Sequence, residues 1–235
     1  MSLLIVKNIS REGPGLLQKI LDENDIHHDI IDLETGEEFP EPEGYSALMV
    51  FGGPDSANDT TEKMTKELEM IGRAIDSGIP YLGICLGMQA LVKTYGGSVL
   101  PNDIKEIGFR GEDGKPYSID IENKHTGDPL FNGIEGPLKI FHLHGETVTL
   151  TEDMQLLATG KYCRHQIVKV GEHAYGIQGH FELTPEMFTL WLDNDPELME
   201  MDRDELQKDF ELFSEEYCNT GRKLFTNFLK MAGLL

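Results

Sequence analysis

Cysteine is scarce in this chain. Only Cys85, Cys163 and Cys218 occur, an odd number at wide spacing, so no disulfide framework is implied and a reducing, cytoplasmic setting is expected. Basic residues are also few: 20 Lys and Arg stand against 42 Asp and Glu, a net charge of −22. So acidic a surface repels phosphate backbones, which excludes nucleic acid from the expected partners. The acids crowd into Asp22 to Glu43 and Asp193 to Glu216 and read as solvated faces that aid solubility. A basic partner protein or a high-salt habitat would draw on the same excess. No run nears the ~20 apolar residues of a membrane span. Met1 to Lys7 lacks the charged segment and cleavage site of a leader, so no membrane partner is expected and the stretch reads as a first strand. Internal repeats and low-complexity tracts are missing as well.

What is present is a chain of 235 residues with 39% hydrophobic content, enough for one large domain with a full core. Ser2 to Val6 is strand-like. Pro14 suits a first helical turn, and Leu16, Leu17, Ile20 and Leu21 follow at helical spacing. His28 to Ile31 is a second strand candidate, and Tyr45 to Phe51 a third, almost continuously apolar as in a sheet covered on both faces. It ends in Gly52-Gly53-Pro54. A helix is expected over Thr60 to Ser77, stopped by Gly78, then a short strand Tyr81 to Ile84 and another helix closed by Gly96-Gly97. Strand and helix thus alternate, which predicts an α/β fold with a doubly wound, mostly parallel central sheet and helices on both faces. Ligands bind such sheets beyond the carboxyl ends of the strands.

The middle third reads differently. Ile107 to Arg110, Tyr117 to Glu122, Leu138 to Leu143, Gln155 to Thr159, Gln166 to Val170 and Ala174 to Gln178 are short strand candidates, the last two joined by a hairpin at Gly171-Glu172. An additional small mixed or antiparallel sheet is expected there. From Thr184-Pro185, an N-cap followed by proline, the chain reads as a helical C-terminal extension over about 184–235. Its stripes, Leu206, Phe210, Phe213, Tyr217 and then Leu224, Phe225, Phe228, Leu229, are core-packing faces.

The chemistry concentrates at Gly83-Ile84-Cys85-Leu86-Gly87. A cysteine between two glycines, where a strand gives way to a helix, follows the nucleophile-elbow pattern with sulfur in place of oxygen. A helix N-terminus favours a thiolate, whereas a free cysteine elsewhere is more often a small buried apolar residue. A nucleophile needs a base and something to orient it. His180 lies just past a predicted strand, and Glu182, two residues on, falls on the same side of an extended backbone. A metal reading competes, since His142 and His144 could join His180 and Glu182; no spacing matches a zinc motif, so no metal and no cofactor is expected. A P-loop at Gly52-Gly53-Pro54 fails because no Gly-Lys-Ser/Thr follows.

Phe51-Gly52-Gly53-Pro54-Asp55-Ser56, Gly83-Ile84-Cys85-Leu86-Gly87-Met88-Gln89, His144-Gly145-Glu146-Thr147-Val148 and Gly176-Ile177-Gln178-Gly179-His180-Phe181-Glu182 occur in the order of the triad-type, class I glutamine amidotransferases. Over residues 45 to 182 the chain resembles that family, and is most similar to free-standing members related to the glutaminase domain of GMP synthetase. The resemblance implies a single domain over 1–235, with Cys85 as nucleophile, His180 as acid/base and Glu182 as its orienter. It implies an oxyanion hole from the N–H groups of Gly53 and Leu86, and substrate contacts from Gln89 and the backbone around His144, Gly145 and Glu146. The family usually reads Gln-Phe-His-Pro-Glu where Gly179 and Phe181 flank the histidine here, and Ser-His-Gly-Asp where Leu143-His144-Gly145-Glu146 stands.

The implied reaction is hydrolysis of glutamine through a γ-glutamyl thioester, releasing glutamate and ammonia for a separate synthetase subunit or another acceptor. A γ-glutamyl peptidase using the same triad is one rival. A catalytically silent regulatory or binding module is another, and the intact Cys85, His180 and Glu182 argue against it. The sequence leaves the oligomeric state open, a homodimer included.

Overall fold

The computed structural model describes all 235 residues, Met1–Leu235. Eleven strands and six helices follow in the order β1 (Leu3–Lys7), α1 (Leu16–Glu23), β2 (His28–Asp32), β3 (Ala47–Val50), α2 (Glu62–Asp76), β4 (Tyr81–Ile84), α3 (Leu86–Thr94), β5 (Ser98–Gly108), β6 (Ser118–Ile121), β7 (Leu138–Lys139), β8 (His142–Thr149), β9 (Met154–Gly160), β10 (Ile167–Val170), β11 (Ala174–Ile177), α4 (Pro185–Asn194), α5 (Pro196–Met199) and α6 (Arg203–Met231). Nine strands make one sheet in the order β2-β1-β3-β4-β11-β10-β9-β6-β7. Pairing from β2 through β11 is parallel, and only β10 and β6 run against the rest.

Apolar alternation along the parallel strands divides the core in two. Leu3, Ile5, Ala47, Met49, Leu82 and Ile84 face α1, α4 and α6, while Leu4, Val6, Leu48, Val50 and Tyr81 face α2 and α3. Burial on both faces explains why these strands read as unbroken apolar runs. The two C-terminal stripes lie on one continuous helix, α6, whose Tyr217, Leu224, Phe225 and Phe228 are buried against the first of these cores.

The expected small antiparallel sheet is β5 with β8, while the other middle strands extend the main sheet with antiparallel pairings. Two expectations are corrected. The expected strand Leu138 to Leu143 is two strands: the chain leaves the main sheet after β7 and enters the small one at His142, a change of partner that an apolar run does not record. Pro14 precedes α1 instead of opening it. Gly15 takes the cap position at φ 47°, because its Cα lies against the Glu182 carbonyl, where a side chain would collide.

The strand ends that matter are level. Val50 pairs with Gly83, and Ile84 with Ile177, so β3, β4 and β11 deliver Gly52, Cys85 and Gln178 to one edge of the sheet.

Candidate active site

Cys85 sits between β4 and α3 with φ 51° and ψ −106°, a region non-glycine residues seldom occupy. The surroundings over-determine it. Its N–H donates to the Ile177 carbonyl at 2.8 Å, and its own carbonyl accepts from Gln89 N at 3.1 Å. Gly83 and Gly87 are demanded by close approach, not by unusual dihedrals: a Cβ on Gly83 would strike the Gly87 backbone, and one on Gly87 the Val50 carbonyl. The elbow is thus pressed onto the neighbouring strand, and its cysteine side chain is left at the sheet edge, 6% exposed.

His180 is fixed by its backbone, which donates to the Phe141 carbonyl at 2.8 Å, and by Trp191, whose ring meets the imidazole edge-on at 4.9 Å between centroids. Its Nδ1 lies 2.6 Å from Glu182 Oε1, and Glu182 Oε2 accepts from the Phe181 N–H at 2.9 Å. The Glu182 carbonyl in turn accepts from Leu16 N at 2.7 Å, so the start of α1 pins the acid from behind. Burial would push the imidazole down. The Glu182 carboxylate overrides it, together with a hydrogen bond to Cys85, and His180 is held well above the ordinary histidine value. Nδ1 is committed to Glu182, which turns Nε2 toward the sulfur.

Gly52 leaves the space in which these groups meet. A Cβ there would lie 3.3 Å from both Cys85 Cβ and His180 Cε1, and would overlap Glu12 Oε2. Beside it, the Gly53 N–H donates to no backbone acceptor, and Leu86, the first residue of α3, has no intrahelical acceptor for its own. The turn carrying Gly53 is braced by Asn8, whose Nδ2 donates to the Phe51 carbonyl at 3.3 Å and to Glu67 Oε1 at 2.8 Å.

The other sequence-predicted residues lie close by. Gln89 is buried and donates to Gln178 Oε1 at 3.3 Å. His144 turns its ring away toward Glu106, with Nδ1 3.0 Å from the Glu146 carbonyl. Glu146 Oε1 accepts from Ser56 Oγ at 3.0 Å, and Gly145 packs on Lys105. The His144 and Glu146 side chains are therefore engaged within the protein, and the backbone of the segment pairs with β5. The four-residue metal grouping weighed from the sequence does not form, because His180 and Glu182 are bound to each other while His142 and His144 gather on Glu106.

Three residues of the site escaped the sequence reading. Gln178 Nε2 stands 3.7 Å from Cys85 Sγ. It lies two before His180 in extended chain, and that spacing could have flagged it. Glu12, 5% exposed, is pushed up to about 7, by burial first, with His180 drawing it down and Glu182 pushing it further up. Glu106 lies beneath the 142–144 segment. For the two glutamates no local pattern exists, since each meets the site only through the fold.

A strained elbow cysteine, a buried imidazole and its carboxylate, set at the carboxyl edge of a doubly wound sheet, define an α/β protein built around a candidate cysteine triad. Residues 16–195 match the family described as "Glutamine amidotransferase class-I", and the chain belongs to that family. It is 32% identical over 152 residues to the glutamine amidotransferase-like protein YfeJ of Salmonella typhimurium, covering 63% of this chain and 61% of that one. It is 32% identical over 167 residues to the GMP synthase [glutamine-hydrolyzing] of Pseudomonas savastanoi pv. phaseolicola, covering 68% of this chain and 29% of that protein. The chain thus matches about three-fifths of the first relative's length and under a third of the second's. A crystal structure of a glutamine amidotransferase from Thermotoga maritima shares the fold with a TM-score of 0.86 at 24% identity, over 98% of both chains. No helix is long and apolar enough to cross a membrane.

Proposed function

We propose that this protein hydrolyses the side-chain amide of glutamine to glutamate and ammonia. The observation that carries the reading is the buried Cys85, His180 and Glu182 arrangement beside two unclaimed backbone N–H groups, in a chain of this family.

The Cys85 thiolate attacks the amide carbon, and the carbonyl electron pair moves to the oxygen. The Gly53 and Leu86 N–H groups hold that oxyanion; losing one such donor lowers turnover by ~10²–10³. The His180 imidazolium passes its proton to the amide nitrogen, the C–N bond breaks, ammonia leaves and a γ-glutamyl thioester remains on Cys85. His180, now neutral, takes a proton from water as the water oxygen attacks the thioester carbon. The C–S bond breaks, glutamate departs, and thiolate and imidazolium are restored. Glu182 keeps the ring in the tautomer that points Nε2 at the sulfur. Gln89 and the backbone of 144–146 hold the substrate, and the ammonia passes to a partner synthetase subunit or another acceptor in the cytoplasm.

The test is glutamate and ammonia release by wild type and Cys85→Ser, with circular dichroism to confirm the fold. A loss of at least ~10³-fold is expected, and a fully active variant would overturn the reading. Amine release from γ-glutamyl dipeptides, measured in parallel, decides between glutamine and a γ-glutamyl peptide as substrate.

A further inference from the structure

His142 and His144 are two residues apart on β8, so both rings leave the strand on one side, with centroids 5.1 Å apart. Glu106 pairs with His144 across the two-stranded sheet and reaches the same spot. Its Oε2 lies 3.1 Å from His144 Nε2 and 3.9 Å from His142 Nε2, and all three side chains are 1% exposed.

With a neutral imidazole and an ionised carboxylate, this cluster lacks a proton or a cation between His144 and Glu106. His144 Nδ1 faces the Glu146 carbonyl, which can only accept, so Nδ1 carries the ring proton. Nε2 then aims a lone pair at a carboxylate oxygen and has no hydrogen-bond partner. His142 Nδ1 is also unpartnered, as is Oε1 of Gln166, whose Nε2 donates to Glu106 Oε2 at 3.1 Å. Folded proteins leave few buried polar atoms unpaired, and here the three residues around one carboxylate each carry one: His144 Nε2 faces Glu106, while His142 Nδ1 lies on the Gly179 side of its ring.

We propose that Glu106, His142 and His144 form a binding site for one divalent transition-metal ion of the zinc class. Two imidazoles and a carboxylate are a donor set such ions take, at about 2.0–2.2 Å from each ligand atom. A tetrahedral ion at that range sets its donors about 3.4 Å apart, close to the 3.1 and 3.9 Å found here. Suitable atoms of all three residues lie within 4.8 Å of one another. Room for the second ring comes from Gly179: a Cβ there would lie 2.7 Å from His142 Nδ1. This departs from the expectation of a metal-free chain.

The ion's work is positional. Leu143, between the two histidines, has its carbonyl 3.9 Å from Cys85 Sγ, and the strand runs on into the segment assigned to substrate. An ion clamped by 142, 144 and 106 locks that strand against the elbow. Only this consequence rests on the glutaminase reading; the site itself is tested without turnover.

The experiment titrates chelator-stripped full-length protein with Co²⁺ and Zn²⁺, reading the visible bands of tetrahedral cobalt, competition with a chromophoric chelator, and the melting temperature. The expected result is one ion per chain, a melting temperature that rises with Zn²⁺, and at least tenfold weaker binding in Glu106→Gln and His142→Ala. Should one variant fail to fold, the other carries the comparison. Wild type that binds no ion, or binding undiminished in the folded variants, overturns the proposal.

Discussion

Two imidazole–carboxylate pairs are buried equally deeply in this molecule, and they differ in how completely they are satisfied. Between His180 and Glu182 every polar contact has a partner: Nδ1 meets Oε1 at 2.6 Å, and Oε2 takes a backbone N–H. Between His144 and Glu106 the atoms approach to 3.1 Å, yet Nε2 remains without a hydrogen bond, and its neighbours His142 and Gln166 each carry an orphan atom. The first pair is closed everywhere except toward the sulfur, as an acid/base that must present one nitrogen to one reactant requires. The second leaves His144 Nε2 facing a carboxylate oxygen without a hydrogen bond between them, as two ligands of one ion would be. Burial alone distinguishes neither; the count of unmet donors and acceptors does.

The largest effect that would sharpen this contrast comes from Glu182→Gln. With the carboxylate gone, the imidazolium loses the charge that lifts it, so turnover should fall by ~10²–10⁴. The alkaline limb of the pH–rate profile should move to lower pH, because the ring gives up its proton sooner. An unshifted profile would mean that Glu182 serves structure only.

Next is Glu12, a third carboxylate beside the first pair. Its folded-state value of about 7 stands above the ordinary 4.5. Between those limits the folded chain binds more protons than the unfolded one, so stability falls as pH rises through this window, by on the order of 3 kcal/mol. Glu12→Gln removes that loss: it should match wild type near pH 4.5 and be the more stable protein at pH 8 in denaturant titrations. Glu67, also raised to about 7, keeps part of the slope in the variant. Parallel pH dependences would place Glu12 in water rather than against His180.

The smallest effect tests the space between the two pairs. A Cβ on Gly179 would lie 2.5 Å from Ile140 Cδ1 and 2.7 Å from His142 Nδ1. Gly179→Ala should therefore destabilise by about 1–3 kcal/mol, seen as a lower denaturation midpoint. A neutral substitution would show the His142 ring to be loosely held.

The same contrast explains what the sequence made legible. Cys85 with its two glycines and His180 with Glu182 are local patterns, written within seven consecutive residues or fewer, so the first pair could be located before any fold was known. Glu106 and Glu12 reach their partners through chain reversals: one across the β5–β8 ladder, the other from the loop between β1 and α1. The parallel half of the sheet was readable because double-sided burial leaves continuous apolar runs. The split at 140–141 was not, since β7 and β8 are both apolar enough to be one strand and only their pairing partners differ.

The most direct measurement of the central claim is intact-mass spectrometry of the full chain, acid-quenched during turnover of glutamine, with the adduct mapped by peptide sequencing. The account predicts one glutamyl group, labile to hydroxylamine, on Cys85 and none on Cys163 or Cys218. Glutamate and ammonia released at full rate with Cys85 never modified would contradict it.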